Sequence, residues 1–376
     1  VLRFGPVRIL LDYRPALRQR TGIGEWVHQM AAAIQPQLRP GESLTLFSSS
    51  WKDRFAGPAV PGASVIDRRI PVSVLNYAWH RLEWPPVEML SGEVDVVQSA
   101  HPLRIPARRA VQAITIADLD FLDHPERTRA EIRRDYAALA PSHARRADLV
   151  VTISQYTAGQ IRDRLDVTPE RIVVCPPGAP SWAPRETPAP VGPILFVGTI
   201  EPRKNVPALL RAYERVAARR PDVPPLVLAG RSVEQSPEIL AGTESPDLAG
   251  RVRYLGYVSD GERQRLYREA SMLVLPSLEE GFGMPALEAM TVGVPVVASR
   301  RGALPEVVGD AGTLVDPLDG QALADAIEAT LDPARSDAHA RAGIVRARRF
   351  SWSDSAATLL EAYRWAVARK RDRAHA

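Results

Sequence analysis

One cysteine, Cys175, stands among 376 residues, which excludes an internal disulfide. With no second thiol nearby, Cys175 reads as a small buried residue and not as a metal ligand. Lysine is nearly as scarce: Lys52, Lys204 and Lys370 are the three in the chain, and arginine supplies the rest of its 48 basic side chains. So strong an arginine bias reflects genome composition, and against it the interior Lys204 stands out. No apolar run approaches the ~20 residues that span a bilayer. The opening VLRFGPVRILLDYRP lacks a signal-peptide pattern, so the expected location is cytoplasmic. Basic motifs interleaved with aromatics are missing, which argues against nucleic acid as a partner. The basic excess is small and sits early, with 24 basic against 19 acidic residues through Arg185 and 24 against 25 beyond it. Such an excess suits peripheral contact between the N-terminal domain and an anionic membrane or polymer surface.

The length accommodates two domains, each with its own core. Short apolar runs alternate with helical patterns along both halves, the rhythm of doubly wound α/β sheets. Residues 7–12, 43–48, 95–98, 113–116, 149–153 and 171–175 read as strands of the first half, and 194–197, 226–229 and 272–276 as strands of the second. Between them PPGAPSWAPRETPAPVGP, residues 176–193, is too rich in proline for helix or strand and reads as a linker. Domains are expected at 1–183 and 184–352. Ser154 is placed to cap a helix ending near Leu165, and 354–369 reads as a closing amphipathic helix with Leu359, Leu360, Tyr363 and Val367 on one face.

The most informative stretch is EEGFGMPALE, residues 279–288, which joins an apolar strand to a helix. Pro285 suits the first helical position and Gly293 the stop. The turn therefore lies at the carboxyl edge of a parallel strand, where open α/β sheets bind ligands. Glu280 and Glu288 frame it, and a carboxylate accepts from two neighbouring hydroxyls at once, as a ribose or hexose diol offers. Gly281 and Gly283 let backbone approach a ligand closely, and N–H groups at the helix start favour an anion or a hydroxyl oxygen. A second strand-to-helix junction, GTIEPRKN at 198–205, carries the cations Arg203 and Lys204; a surface ion pair with Glu201 is its plainer reading. In the first half, Gly22 and Gly24 open a helix and can present N–H groups to a diphosphate, or form a plain surface turn. His101 and Asp118 lie in loops that follow strands. Trp79 and Trp84 suit either an acceptor cleft or the core. The triplet Asp118-Leu119-Asp120 mimics a metal-binding pattern.

The run EGFGMPALEAM, with seven residues between Glu280 and Glu288, followed by GVPVVAS and by ALPEVVGDAGTLVDP at 303–317, resembles the paired-glutamate motif of retaining glycosyltransferase family 4. The resemblance implies the GT-B fold: two Rossmann-like domains facing a cleft, the first for the acceptor and the second for the nucleotide-sugar donor, with a last helix, 353–376, crossing back to the first. It implies Arg203 and Lys204 on the donor diphosphate, Glu280 on the donor sugar, Glu288 on the ribose, and backbone N–H groups of Phe282, Gly283 and Met284 on further oxygens. Arg231 is implied on phosphate or base, Tyr257 beside the base, Gly22 and Gly24 near phosphates and acceptor, and His101 and Asp118 on the acceptor side. No metal and no cofactor besides the donor are implied, because such enzymes stabilise the leaving diphosphate with cations and helix ends.

GTIEPRKN resembles bacterial mannosyl- and rhamnosyltransferases of surface polysaccharide synthesis, which favours GDP-mannose ahead of UDP-glucose and UDP-N-acetylglucosamine. The implied acceptor is a glycan, a lipid-linked sugar or a small molecule. Arg127, Arg129, Arg133, Arg134, Arg145 and Arg146 resemble the basic helices of membrane-associated relatives, or form a solvated face. Two positions depart from the family pattern. Ala117 stands where members commonly have a histidine, for which His101 or His124 is a candidate substitute, and Thr199 stands where many have arginine. These departures motivate an alternative, a catalytically silent sugar-nucleotide binder that serves another transferase. A sugar-nucleotide epimerase on the same fold is a third reading: the expected carboxylate and histidine set is not evident, but His101 and Asp118 share one expected cleft.

Overall fold

The computed structural model describes residues 5–375 apart from 18–19, 21, 58, 126–129, 187–191, 234–235 and 247, with backbone alone at 130–134, 244 and 374–375. Arg127 and Arg129, and the side chains of Arg133 and Arg134, lie outside the described residues. The chain divides into two compact units, residues 1–178 with 351–376, and residues 179–350.

The first unit is built on seven parallel strands, β1 (Arg8–Asp12), β2 (Ser43–Ser48), β3 (Ser64–Asp67), β4 (Val96–Gln98), β5 (Val111–Ile116), β6 (Leu149–Thr152) and β7 (Ile172–Val174), in the order β3-β2-β1-β4-β5-β6-β7. Strands β4, β5 and β6 are buried at every residue, as expected for a sheet covered on both faces. After β6, the Ser154 hydroxyl accepts from Thr157 N at 3.1 Å and starts the helix Gln155–Leu165. The helix Val72–Tyr77 runs on as a wide turn, Ala78–Leu82.

The closing helix, Trp352–His375, belongs to this unit and is longer than its apolar pattern suggests. Ser351 Oγ accepts from Asp354 N at 3.2 Å, which sets the start, and polar anchors hold the far end: Lys370 Nζ lies 2.8 Å from Asp148 and Arg371 2.9 Å from Asp95. Leu359, Leu360, Tyr363 and Val367 are buried in one cluster with Trp26, Met30 and Ile34 of the helix Ile23–Ile34. Tyr363 donates to Gln98 Oε1 at 2.8 Å, and Arg364 meets the buried Glu42 carboxylate at 2.7 Å.

The second unit has six parallel strands, β8 (Ile194–Val197), β9 (Leu226–Ala229), β10 (Val252–Tyr254), β11 (Met272–Leu275), β12 (Val296–Ser299) and β13 (Thr313–Val315), in the order β10-β9-β8-β11-β12-β13. In each sheet the first strand lies between the second and the fourth, so the winding reverses at β1/β4 and at β8/β11. At such a switch point the connections depart to opposite sides and leave a crevice outside the carboxyl ends of the strands. Met272 pairs with Ile194 and Leu273 with Leu195, so the loops following β8 and β11 emerge side by side. Among the described residues no helix is long and apolar enough to cross a membrane.

Candidate active site

At the β8/β11 switch point the two expected junctions meet. Lys204 ends a short turn, Pro202–Lys204, that follows β8, and its ammonium lies 2.5 Å from Glu280 Oε1 in the loop after β11. Ser277 Oγ donates to the same oxygen at 2.9 Å, and Arg203 Nη1 sits 3.6 Å from Glu280 Oε2. The loops are also joined through backbone, since Leu278 N donates to Arg203 O at 2.7 Å. Lys204 and Glu280 are 7% and 5% exposed, so each charge is held by the other and not by solvent. Burial alone would raise the Glu280 carboxyl, but Lys204 and then Arg203 hold it below the usual carboxylate range. Arg203 also makes the expected ion pair with Glu201, at 2.8 Å, so one guanidinium serves both carboxylates.

Pro285 is the second residue of the helix Met284–Thr291, one place later than expected, because Gly283 caps it with φ 102°. Phe282 is buried with its ring edge-on to Phe350 at 5.5 Å, which leaves backbone as what residues 281–283 can offer a ligand. Glu288 lies in this helix and is buried; Tyr267 Oη donates to its Oε2 at 2.9 Å and Arg263 Nη2 is 3.3 Å from its Oε1. At the end of β9, the Arg231 guanidinium stacks 4.9 Å from the ring of Tyr257. Its Nη2 is buried without a hydrogen-bond partner among the described residues, as a group awaiting an acceptor would be.

Sequence reading missed Ser277, Tyr267, Arg263 and Gly302. Gly302 has φ 63°, and a Cβ there would come 2.7 Å from both N and O of Glu280, so only glycine lets the loop after β12 support that residue. Its motif neighbour Ala303 donates its N–H to Glu280 O at 2.9 Å. The only hint in sequence was that the family resemblance continues through this loop.

The first unit gathers a second polar cluster, at the β1/β4 switch point. Asp12 ends β1 and is fully buried; Arg14 reaches both its oxygens at 2.8 Å, and His101 Nε2 is 3.6 Å from Oδ2. Arg14 further donates to Asn76 Oδ1 at 2.9 Å and lies over the Trp79 ring. Burial pushes His101 down to about 4 despite the pull of Asp12. The buried His80 ring stands edge-on to His101 at 5.4 Å, and the Tyr136 ring stacks on His101 at 5.9 Å. Asp12 and Arg14 carried no signal in sequence beyond polarity at a strand end, and His80, in the wide turn Ala78–Leu82, carried none.

Asp118 Oδ1 accepts from Asp120 N at 3.3 Å, and no hydrogen bond or ion pair joins it to His101 among the described residues. Gly22 caps the helix Ile23–Ile34, and Gly24 packs tightly, since a Cβ there would meet Pro15 O at 2.6 Å. Trp79 is core and Trp84 is exposed. Among the described residues no group of three or more His, Cys, Asp or Glu side chains is placed to hold a metal ion.

Comparison with known proteins agrees with this architecture. Residues 192–332 match the family described as glycosyl transferases group 1. The O-antigen chain mannosyltransferase B of Escherichia coli is 34% identical over 388 residues, which span 95% of this chain and 100% of that protein. The D-inositol 3-phosphate glycosyltransferase of Segniliparus rotundus is 33% identical over 290 residues, 73% of this chain and 62% of the other. Sucrose-phosphate synthase from Thermosynechococcus elongatus superposes with a TM-score of 0.76 at 21% identity, over 97% of this chain and 100% of that one, a likeness of fold. The chain belongs to the group 1 glycosyltransferases of GT-B fold, related to the family 4 enzymes of surface polysaccharide synthesis. Its activity is transfer of a sugar from a nucleoside diphosphate sugar to a glycan, lipid or small-molecule acceptor.

Proposed function

We propose that the enzyme transfers mannose from GDP-mannose with retention of configuration and without a metal ion. The observation that carries this reading is the buried Lys204–Glu280 pair across the β8/β11 switch point, with Arg203 beside it. The likeness to an O-antigen mannosyltransferase over nearly the whole chain supports the choice of donor.

In this reading Lys204 and Arg203 face the diphosphate and Glu280 the sugar hydroxyls. Backbone N–H groups at Phe282, Gly283 and Met284 take further oxygens, Glu288 takes the ribose, and Arg231 with Tyr257 flanks the base. As the anomeric C–O bond breaks, its electron pair passes to the diphosphate, whose growing charge the fixed cations stabilise more in the transition state than in the ground state. The acceptor oxygen forms its bond on the face the diphosphate leaves, and a phosphate oxygen takes the acceptor proton, so no enzyme nucleophile is needed. Gly22 and Gly24 border the donor phosphates and the acceptor, and His101 and Asp118 belong to the acceptor side. The enzyme works in the cytoplasm, with peripheral membrane contact through the first unit when the acceptor is lipid-linked.

The test is release of free nucleotide from GDP-, UDP- and dTDP-sugars by the purified protein, without acceptor and with a chelator present. Release of GDP from GDP-mannose supports the reading, and release from a UDP-sugar alone moves the donor. Binding of a donor without turnover, even with diverse acceptors, favours the silent binder that Ala117 and Thr199 suggest, and makes Ala117→His the first variant to assay.

A further inference from the structure

We propose that Tyr267 and Arg263, on the helix Asp260–Glu269, are positioning residues that orient Glu288 toward the ribose of the donor, and that Trp182 holds Arg263 in place. The inference rests on the reading of Glu288 as the ribose-binding carboxylate.

Tyr267 and Arg263 are four residues apart and so share one face of their helix, whose start is secured by a capping box between Ser259 and Glu262. From that face each takes a different oxygen of Glu288, Tyr267 at Oε2 and Arg263 at Oε1. The Trp182 ring lies 6.0 Å from the Tyr267 ring and 5.9 Å from the Arg263 guanidinium, and so backs both groups. Tyr267 is fully buried, and burial together with the Glu288 charge pushes its phenol well above the ordinary range, so it remains a hydrogen-bond donor at any working pH.

The need for such donors follows from what diol recognition demands. A carboxylate accepts two vicinal hydroxyls together only when its plane is set correctly, and the terminal torsion of glutamate is a broad, soft one. A hydrogen-bond donor at one oxygen and a cation at the other, which Arg263 Nη2 shares with Asp260 at 3.3 Å, restrict that freedom before the ligand arrives, so part of the ordering cost is met in folding rather than in binding. The effect falls on the ribose hydroxyls alone, because it is transmitted through Glu288.

The experiment compares binding of GDP and UDP with their 2′,3′-dideoxy forms by calorimetry in wild type, Tyr267→Phe and Arg263→Gln. Wild type is expected to prefer the ribose form. Tyr267→Phe should lower that preference about five- to tenfold, less than the full worth of a charge-assisted hydrogen bond because the residue acts through Glu288, while dideoxy binding stays within about twofold. Arg263→Gln should act in the same direction, and Arg263→Lys should restore most of the preference. Arg263 is partly exposed, so its variants carry the test if Tyr267→Phe does not fold. Equal weakening of both forms would reduce the two residues to a structural role and overturn the inference, as would an unchanged preference in both variants. A wild type that binds neither nucleotide, or binds without ribose preference, overturns the reading of Glu288 itself and this inference with it.

Discussion

A lysine and a glutamate 76 positions apart become one chemical unit only when the strands preceding them pair. Lys204 drew notice through the scarcity of lysine and Glu280 through its motif, yet nothing in either stretch says that they touch. Their contact has a kinetic consequence. Lys204→Ala should lower kcat about ten- to a hundredfold, the worth of one charge-assisted contact to the leaving diphosphate, with a smaller change in donor affinity. Steady-state kinetics with the donor identified by nucleotide release checks this, and an unchanged kcat would remove Lys204 from the chemistry. Gly302→Ala probes the same carboxylate from behind. Its φ of 63° and the 2.7 Å approach to the Glu280 backbone leave no room for a methyl group, so Glu280 must move. Turnover should fall at least tenfold, with a loss of stability of about 1–3 kcal/mol, measured by assay and by thermal melting.

The segment from Val72 to Trp84 shows how residues alike in sequence part in the fold. Trp79 and Trp84 were interchangeable as sequence, yet one packs on Phe47 and the other is exposed. The same segment buries His80 with neither ring nitrogen hydrogen-bonded among the described residues. Burial, with His101 and Arg14 adding to it, pushes His80 down to about 2, and burial likewise brings His101 and His143 to about 4. The sign follows from proton counting. Below the unfolded value of roughly 6.5 the unfolded chain takes up protons that the folded one refuses. Stability is therefore complete above about pH 6.5 and falls as pH drops toward 4, by roughly 1 kcal/mol per pH unit for each such group. His80→Phe retains the edge-on contact with His101 and removes one of these groups. Urea unfolding at pH 5 and pH 8 should show the variant losing less stability on acidification than wild type, and an equal loss would mean that His80 is accessible to protons when folded.

At the scale of the molecule, the first unit is completed by the last helix of the chain, whereas residues 179–350 form one continuous unit. Two outcomes follow. A chain ending at residue 350 removes the buried side chains of Leu359, Leu360, Tyr363 and Val367 from the core around Trp26 and Ile34, so the first unit should fail to fold. Residues 179–350 made alone should fold and retain nucleotide binding, as circular dichroism and calorimetry would report. A finer test is Arg364→Ala. It removes the cation that meets the part-buried Glu42 at 2.7 Å, and should cost about 1–3 kcal/mol in chemical denaturation, the worth of a charge-assisted hydrogen bond.

Local patterns sufficed for much of this protein. Apolar runs of four to six residues, proline and glycine punctuation, and the Ser154 cap are properties of neighbouring residues, and they determined most of the strands and the alternating rhythm of both halves, but not β3, β10, β12 or β13. The motif around Glu280 and Glu288 was legible for the same reason, being contiguous. What only the tertiary structure decided is which distant side chains share a site. Strand order brings Lys204 to Glu280 and Asp12 with Arg14 to His101, helix packing brings Tyr267 and Arg263 to Glu288, and loop stacking makes Gly302 obligatory. Parallel pairing joins strands that are far apart in the chain, and burial then fixes the charge state of whatever it encloses; neither property belongs to any stretch of sequence short enough to be read by itself.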